Sequence, residues 1–95
     1  MYPIKKVDKG FYRSPRPSKE QLAQWRLIFN IGAVLMLDGD NPDDAAVERE
    51  NCNQIGIDAS YMRWSGFYRP TVNALIEGVD FIVANQKAGI KILTH

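Results

Sequence analysis

The chain has 95 residues, of which 45% are hydrophobic and 24% are charged, so it can form one domain of ordinary globular composition at most. Its 12 basic and 11 acidic side chains leave a net charge of +1, which does not favour a nucleic-acid partner. One cysteine and one histidine exclude a disulfide framework and a zinc cluster, and no apolar run reaches the roughly 20 residues of a membrane span. We therefore expect a single cytoplasmic domain over residues 1–95, with no metal, no other cofactor and no membrane contact.

The first elements of the chain are predicted from turn and capping signals. Phe11-Tyr12-Arg13 is a short aromatic strand candidate, after which Pro15 and Pro17 enforce an extended path. Ser18 then caps a helix, because Gln21 stands three residues later, as a capping box requires. The apolar stripe of this helix is predicted to consist of Leu22, Trp25, Ile28 and Phe29.

The middle of the chain continues the alternation of strands and helices. The apolar run from Ala33 to Leu37 predicts a strand that is covered on both faces. A second helix is expected from about Pro42 to Gln54, where Gly56 ends it. Ile57 to Arg63 is the next strand candidate, and the segment from Arg63 to Arg69 is predicted to be a loop that combines two arginines with three aromatic residues.

The last elements complete an α/β pattern. Pro70 is predicted to start a third helix, Gly89 to end it, and Ile90 to Thr94 to form the last strand. This order predicts a largely parallel sheet with helices on both faces. Functional groups of such folds lie in loops beyond the carboxyl ends of the strands. Three places qualify: Asp38 to Asp44, Trp64 to Arg69, and whatever follows His95.

The apolar positions of the third helix keep helical spacing, as in an amphipathic helix. They are Val72, Leu75, Ile76, Val79, Ile82 and Val83.

Four segments taken together resemble a known family. The succession "FYRSPRPSKEQL", "IGAVLMLDGD", "NQIGIDASYMRWSGFYRPT" and "AGIKILTH" resembles the first part of the dual-specificity, cysteine-dependent protein tyrosine phosphatases, especially their compact, atypical members. The resemblance covers essentially the whole chain and lies in the order and spacing of the segments. It implies the phosphatase fold, incomplete at the C-terminus, with His95 matching the histidine that immediately precedes the catalytic cysteine.

The resemblance implies a function for the full-length protein. In that family a cysteine, a phosphate-binding loop and an arginine follow the histidine and hydrolyse phosphate monoesters through a phosphocysteine intermediate. The implied substrates are phosphotyrosine, phosphoserine or phosphothreonine in a protein, or a small phosphate such as an inositol phosphate. These 95 residues lack that cysteine and arginine, so whether the chain itself is an enzyme stays open.

The same resemblance leads us to expect a longer natural protein. If the domain ended at His95, its last strand would leave an apolar sheet face uncovered, which soluble monomers rarely tolerate. The oligomeric state is left open.

The resemblance also suggests site residues. Many members place an aspartate general acid in the loop before the third helix, where this chain has no carboxylate. Asp38 or Asp40 could supply the acid instead, or the leaving group could depart without strong acid assistance. Arg63, Trp64 and Arg69 are candidates for binding the phosphorylated substrate, with a merely solvated role for the arginines weighted equally.

Other residues and other functions have competing interpretations. Tyr12 and Arg13 match a family motif that is mostly structural, so packing is favoured over substrate contact. Cys52 lies in a predicted helix with only Arg49 as a basic neighbour, which favours a packing residue over a reactive thiol. Two further functions stay open: a non-catalytic, phosphatase-like binding module, and less strongly a rhodanese-type sulfurtransferase.

Overall fold

A computed structural model describes residues 4–37, 42–62, 64–65, 69–70 and 72–95. In chain order, the elements are β1 (Lys5–Asp8), β2 (Phe11–Arg13), α1 (Lys19–Phe29), β3 (Ile31–Met36), α2 (Pro42–Ile55), β4 (Asp58–Tyr61), β5 (Trp64–Ser65), β6 (Arg69–Pro70), α3 (Val72–Lys87) and β7 (Lys91–Thr94). Within these ranges, no helix combines the length and apolar character that a membrane span needs.

The main sheet has the strand order β1-β2-β7-β3-β4. Four strands run parallel to one another: β2, β7, β3 and β4. The edge strand β1 pairs with β2 in the antiparallel sense. The predicted largely parallel α/β sheet is therefore confirmed. The edge strand β1 was not predicted; a turn in which Gly10 adopts a φ of 74° connects it to β2.

Helices cover both faces of the sheet, as predicted. Val34 and Leu93 point to one face, where they join Trp25 of α1 and Cys52 of α2 in the main hydrophobic core. Leu35 points to the opposite face, which α3 covers. Gly78 of α3 lies so close that a Cβ atom added to it would be 3.8 Å from Leu35 Cδ2. The central strands are consequently buried from both sides.

The start of α1 follows the predicted capping box. The Ser18 hydroxyl accepts a bond from the Gln21 backbone N–H at 3.2 Å, and the Ser18 N–H donates to Gln21 Oε1 at 3.0 Å. Leu22 and Trp25 are each 1% exposed, but Ile28 is 58% exposed, so its assignment to the buried stripe is wrong. Ile28 stands one residue before the half-buried Phe29 and is therefore rotated by about 100° around the helix axis.

Removal of this cap has a measurable expected cost. Ser18→Ala should lower the free energy of unfolding by about 1 kcal/mol, because the Gln21 backbone N–H loses the hydroxyl oxygen that accepts its hydrogen bond and the capping box is broken. Urea denaturation followed by circular dichroism measures the change. Ser18→Asn keeps a capping oxygen and should change stability by a few tenths of a kcal/mol only; equal losses in both variants would contradict the capping role.

Glycines end the other two helices in the same way. After α2, Gly56 donates to the Asn53 carbonyl and Ile57 to the Cys52 carbonyl, which is a Schellman arrangement with Gly56 at a φ of 85°. After α3, Gly89 repeats this geometry at a φ of 74°. Both helix ends were predicted from these glycines.

The start of α3 differs from the prediction. Pro70 lies in β6, where it pairs with Trp64 of β5, and the helix begins only at Val72. Among the residues that the structure describes, β5 and β6 form a sheet of two strands, and proline is tolerated in such edge strands.

The apolar stripe of α3 lies on the outer side of the helix. The small residues Ala74 and Gly78 are buried toward the sheet. The bulky residues are 40% to 72% exposed; they are Val72, Leu75, Ile76, Val79 and Val83. On β7, in contrast, Ile92 and Leu93 are fully buried.

Candidate active site

The carboxyl ends of the parallel strands meet along one edge of the sheet. The backbone of His95, directly after β7, is bonded twice to the β3 side: its N–H donates to the Leu35 carbonyl at 3.3 Å, and its carbonyl accepts from the Leu37 N–H at 2.7 Å. On the other side of β7, Ser14 donates to the Thr94 carbonyl at 3.1 Å. Because β7 is the middle strand, His95 stands at the centre of the edge where folds of this type bind ligands.

The His95 side chain points toward α2 and pairs with Glu48. Side chains alternate along a strand, so His95 faces the same side as Leu93, which belongs to the core beneath α1 and α2. His95 Nε2 contacts Glu48 Oε2, and the two side chains are only 1% and 7% exposed. An ionised carboxylate can only accept, so the pair assigns the shared proton to Nε2 of the imidazole.

Glu48 was missed by the sequence analysis, although the sequence carries a signal for it. Ala45, Glu48 and Cys52 recur at helical spacing and form the buried side of α2. A carboxylate on such a stripe is costly to bury without a partner. The interruption of an apolar stripe by a charge could therefore have indicated a buried partner, although not that the partner is His95.

Cys52 has the properties of a packing residue. It is fully buried, and burial together with the nearby Glu48 carboxylate raises the pKa of its thiol to about 12. A nucleophilic cysteine needs the opposite environment, one that lowers the pKa. Cys52 is thus unsuited to attack phosphorus, in line with the expectation from the sequence.

This environment predicts slow reaction of Cys52 with alkylating reagents. In native protein at neutral pH, iodoacetamide should modify Cys52 far more slowly than a free thiol, because the site is buried and thiolate is scarce. Mass spectrometry after timed quenching measures the rate, with urea-unfolded protein as the control. Modification of the native chain at the unfolded rate would contradict the assignment.

The same pKa shift affects stability at high pH. Because the folded-state pKa lies above the ordinary value of 9.0, the protonated thiol favours the native state. This contribution is complete below pH 9.0 and is lost as the pH rises through about 12.

The structure describes only some of the remaining predicted site residues. Asp38, Asp40 and Arg63 lie outside the described residues. Trp64 and Arg69 lie in β5 and β6, which pair with each other in the antiparallel sense. The catalytic and substrate-binding roles suggested for these five residues stay predictions.

The residues that precede these candidates end at the same edge as β7. Leu37, the last described residue before Asp38, donates to the His95 carbonyl. Met62, the last described residue before Arg63, donates to the Met36 carbonyl at 2.9 Å. Both segments therefore leave the sheet on the side of His95.

An open cavity with basic side chains lies on the other side of β7. Lys5 and Arg13 are partners across β1 and β2, and with Ser14 and Pro15 they line a cavity of about 360 Å³. Arg13 is exposed and pairs with Thr94 of β7, so the cavity adjoins the residue before His95. Tyr12, in contrast, is buried and packs on Phe29 with ring centroids 5.6 Å apart, which confirms its packing role.

Comparisons with known proteins agree on the fold. No protein-family model matches the sequence, and no curated protein matches it significantly. Among solved structures, Tk-PTP in its active form superposes with a TM-score of 0.77 at 19% identity, covering 98% of this chain and 60% of Tk-PTP. A mutant form of Tk-PTP gives 0.76 at 20% identity, covering 97% of this chain and 59% of that one.

A third solved structure extends the likeness to another phosphatase. The core catalytic domain of the PP-IP phosphatase SIW14 from S. cerevisiae, in complex with citrate, gives a TM-score of 0.68 at 21% identity, covering 99% of this chain and 55% of that one.

These likenesses define the fold class of the chain. It has the α/β fold of protein tyrosine phosphatase-like phosphatases, so the resemblance inferred from the sequence is confirmed at the level of the fold. The chain spans 55% to 60% of the length of these solved structures.

Proposed function

We propose that this chain is the N-terminal part of a cysteine-dependent phosphatase, in which a phosphate-binding loop follows His95. The observation that carries the proposal is the phosphatase fold over 97% to 99% of the chain, with His95 at the end of its central strand. The family resemblance matches His95 to the residue before the nucleophile. The position of His95 at the carboxyl edge of the sheet supports this assignment, because folds of this type bind ligands there.

The proposed reaction has two displacement steps. A cysteine thiolate attacks the phosphorus of a phosphate monoester, the bond to the ester oxygen breaks, and the leaving oxygen takes a proton from a general acid or from water. Water then attacks the phosphocysteine, which releases inorganic phosphate and restores the thiolate. Asp38 or Asp40 is the proposed acid, and Arg63, Trp64 and Arg69 are the proposed substrate-binding residues.

The basic cavity beside β7 supports an anionic substrate. Arg13 pairs with Thr94 of β7, and Lys5 lies across from Arg13 on the edge strand β1, so both add positive charge on the β2 side of β7. A phosphate monoester carries up to two negative charges near neutral pH, so these cations favour its approach. The proposed substrates are a phosphorylated tyrosine, serine or threonine of a protein, or a small phosphate, encountered in the cytoplasm.

A phosphatase-like binding module is the second candidate. Cys52, the single cysteine of the 95 residues, is fully buried and its thiol has a raised pKa, so these residues by themselves hold no cysteine suited to hydrolyse a phosphate ester. A module of this kind would bind a phosphorylated partner without turning it over.

A turnover assay with matched variants separates the two candidates. We expect the natural full-length protein to hydrolyse p-nitrophenyl phosphate and vanadate to inhibit it. Serine in place of the cysteine that the proposal sets directly after His95 should abolish turnover, whereas Cys52→Ser should leave it. Vanadate binding without turnover would overturn the enzymatic proposal and support the binding module.

A further inference from the structure

We infer that Glu48 is a positioning residue: its carboxylate fixes the imidazole of His95 and thereby the end of β7 from which the proposed nucleophile follows. The pairing stands on the described residues alone. Its catalytic consequence rests on the proposed function.

His95 is held toward β3 by its backbone and toward α2 by its side chain. Its backbone N–H and carbonyl are bonded to Leu35 and Leu37, which fix its position along β3. Its imidazole reaches α2 and pairs with Glu48, which fixes its rotation about the strand axis. The backbone bonds do not by themselves fix the rotamer of the side chain, and the contact with Glu48 adds a polar constraint on the buried imidazole.

The burial of Glu48 indicates a role beyond stability. Its residue is 5% exposed and lies on α2 between the buried residues Ala45 and Cys52. A buried ion pair is often no more stabilising than apolar side chains of the same volume, because both groups lose their hydration. A carboxylate at this position is better explained by what it orients than by the free energy it contributes.

The orientation has a defined chemical consequence. Pairing with a carboxylate acceptor selects the form of the imidazole with the proton on Nε2 and holds the ring in one plane. A residue that directly follows His95 would then leave the sheet from a fixed point and in a fixed direction. Misplacement of a reacting group by about 1 Å can cost on the order of a hundredfold in rate.

The pairing can be tested in this chain without any catalysis. His95 is the single histidine of the 95 residues, so its ring signals in long-range ¹⁵N–¹H spectra need no assignment among several histidines. In the wild type we expect the proton on Nε2. A ring protonated only on Nδ1 would overturn the inference, and this measurement does not depend on the folding of any variant.

Two variants of the same helix extend the test. Glu48→Gln keeps the shape but removes the charge, and should shift the ring ¹⁵N signals. It should also lower amide-exchange protection at His95 and Leu37 by about tenfold relative to Ile57, because the acceptor of the hydrogen bond loses its charge and the bond weakens. Glu50→Gln is the matched control, since Glu50 is exposed on α2 and accepts a bond from the Gln54 side chain at 3.4 Å. Identical spectra and protection in the two variants would overturn the inference.

The catalytic consequence is tested in the natural full-length protein. Glu48→Gln should lower kcat by about ten- to a hundredfold with little change in KM, whereas Glu50→Gln should leave both unchanged. An unchanged kcat in Glu48→Gln would overturn the positioning role and leave the proposed function standing. A wild type without turnover would overturn the proposed function, and the spectra would still decide the pairing.

Discussion

Trp25→Ala is expected to lower the free energy of unfolding by about 3–5 kcal/mol, because it removes the largest fully buried side chain among the residues that the structure describes. Trp25 is 1% exposed and lies in the core that joins α1 and α2 to the sheet. Domains of this size are stable by only about 5–15 kcal/mol, so the variant should be partly or wholly unfolded at 37 °C. Urea denaturation at 15 °C, followed by circular dichroism, measures the loss.

A matched control lies two positions further along the same helix. Leu27 is 86% exposed, so Leu27→Ala should change stability by about 0.5 kcal/mol at most. If both variants lost similar stability, α1 would not face the sheet through Trp25, and the described core would be wrong.

The second large effect is expected at the buried pair of Glu48 and His95. Glu48→Ala and His95→Ala should each cost about 3–5 kcal/mol, because either change leaves a buried polar group without its partner. The double variant should cost less than the sum of the two by about 1–3 kcal/mol. Denaturation of all four proteins at two salt concentrations measures this coupling.

The salt dependence of the coupling gives an independent check. The two side chains are 1% and 7% exposed, so added salt should change the coupling little. The exposed pair of Arg16 and Asp44, at 2.9 Å, is the contrast, since its small contribution should be screened. If the stability losses of Glu48→Ala and His95→Ala simply added in the double variant, that would contradict a direct contact between Glu48 and His95.

Much of the fold could be predicted because local signals and the global arrangement agree. The capping box at Ser18 and the glycines that end α2 and α3 each specify a backbone geometry that the chain adopts. The apolar run of β3 predicted a strand buried on both faces, and the order of elements then left few topologies.

The failures have a common physical cause. Helical spacing shows that α3 has an apolar side, but it does not show what covers that side, and here the small residues Ala74 and Gly78 face the sheet. The edge strand β1 is exposed along its whole length, so no apolar alternation identifies it.

The candidate site shows the same limit more sharply. The position of His95 followed from strand order, because the carboxyl ends of parallel strands share an edge. Its partner Glu48 did not follow, because the two residues are 47 positions apart and only the packing of α2 on the sheet brings them together. A charge on a buried stripe predicts some partner, and only the fold identifies which one.

The central claim is that the reaction takes place directly after His95, and trapping the phosphorylated enzyme tests it most directly. The natural full-length protein would be mixed with a phosphate ester, quenched within milliseconds and digested, and the phosphorylated peptide located by mass spectrometry. The account predicts one phosphoryl group on a cysteine that immediately follows the sequence "AGIKILTH". Phosphorylation of Cys52, or rapid turnover with no phosphocysteine at any quench time, would contradict it.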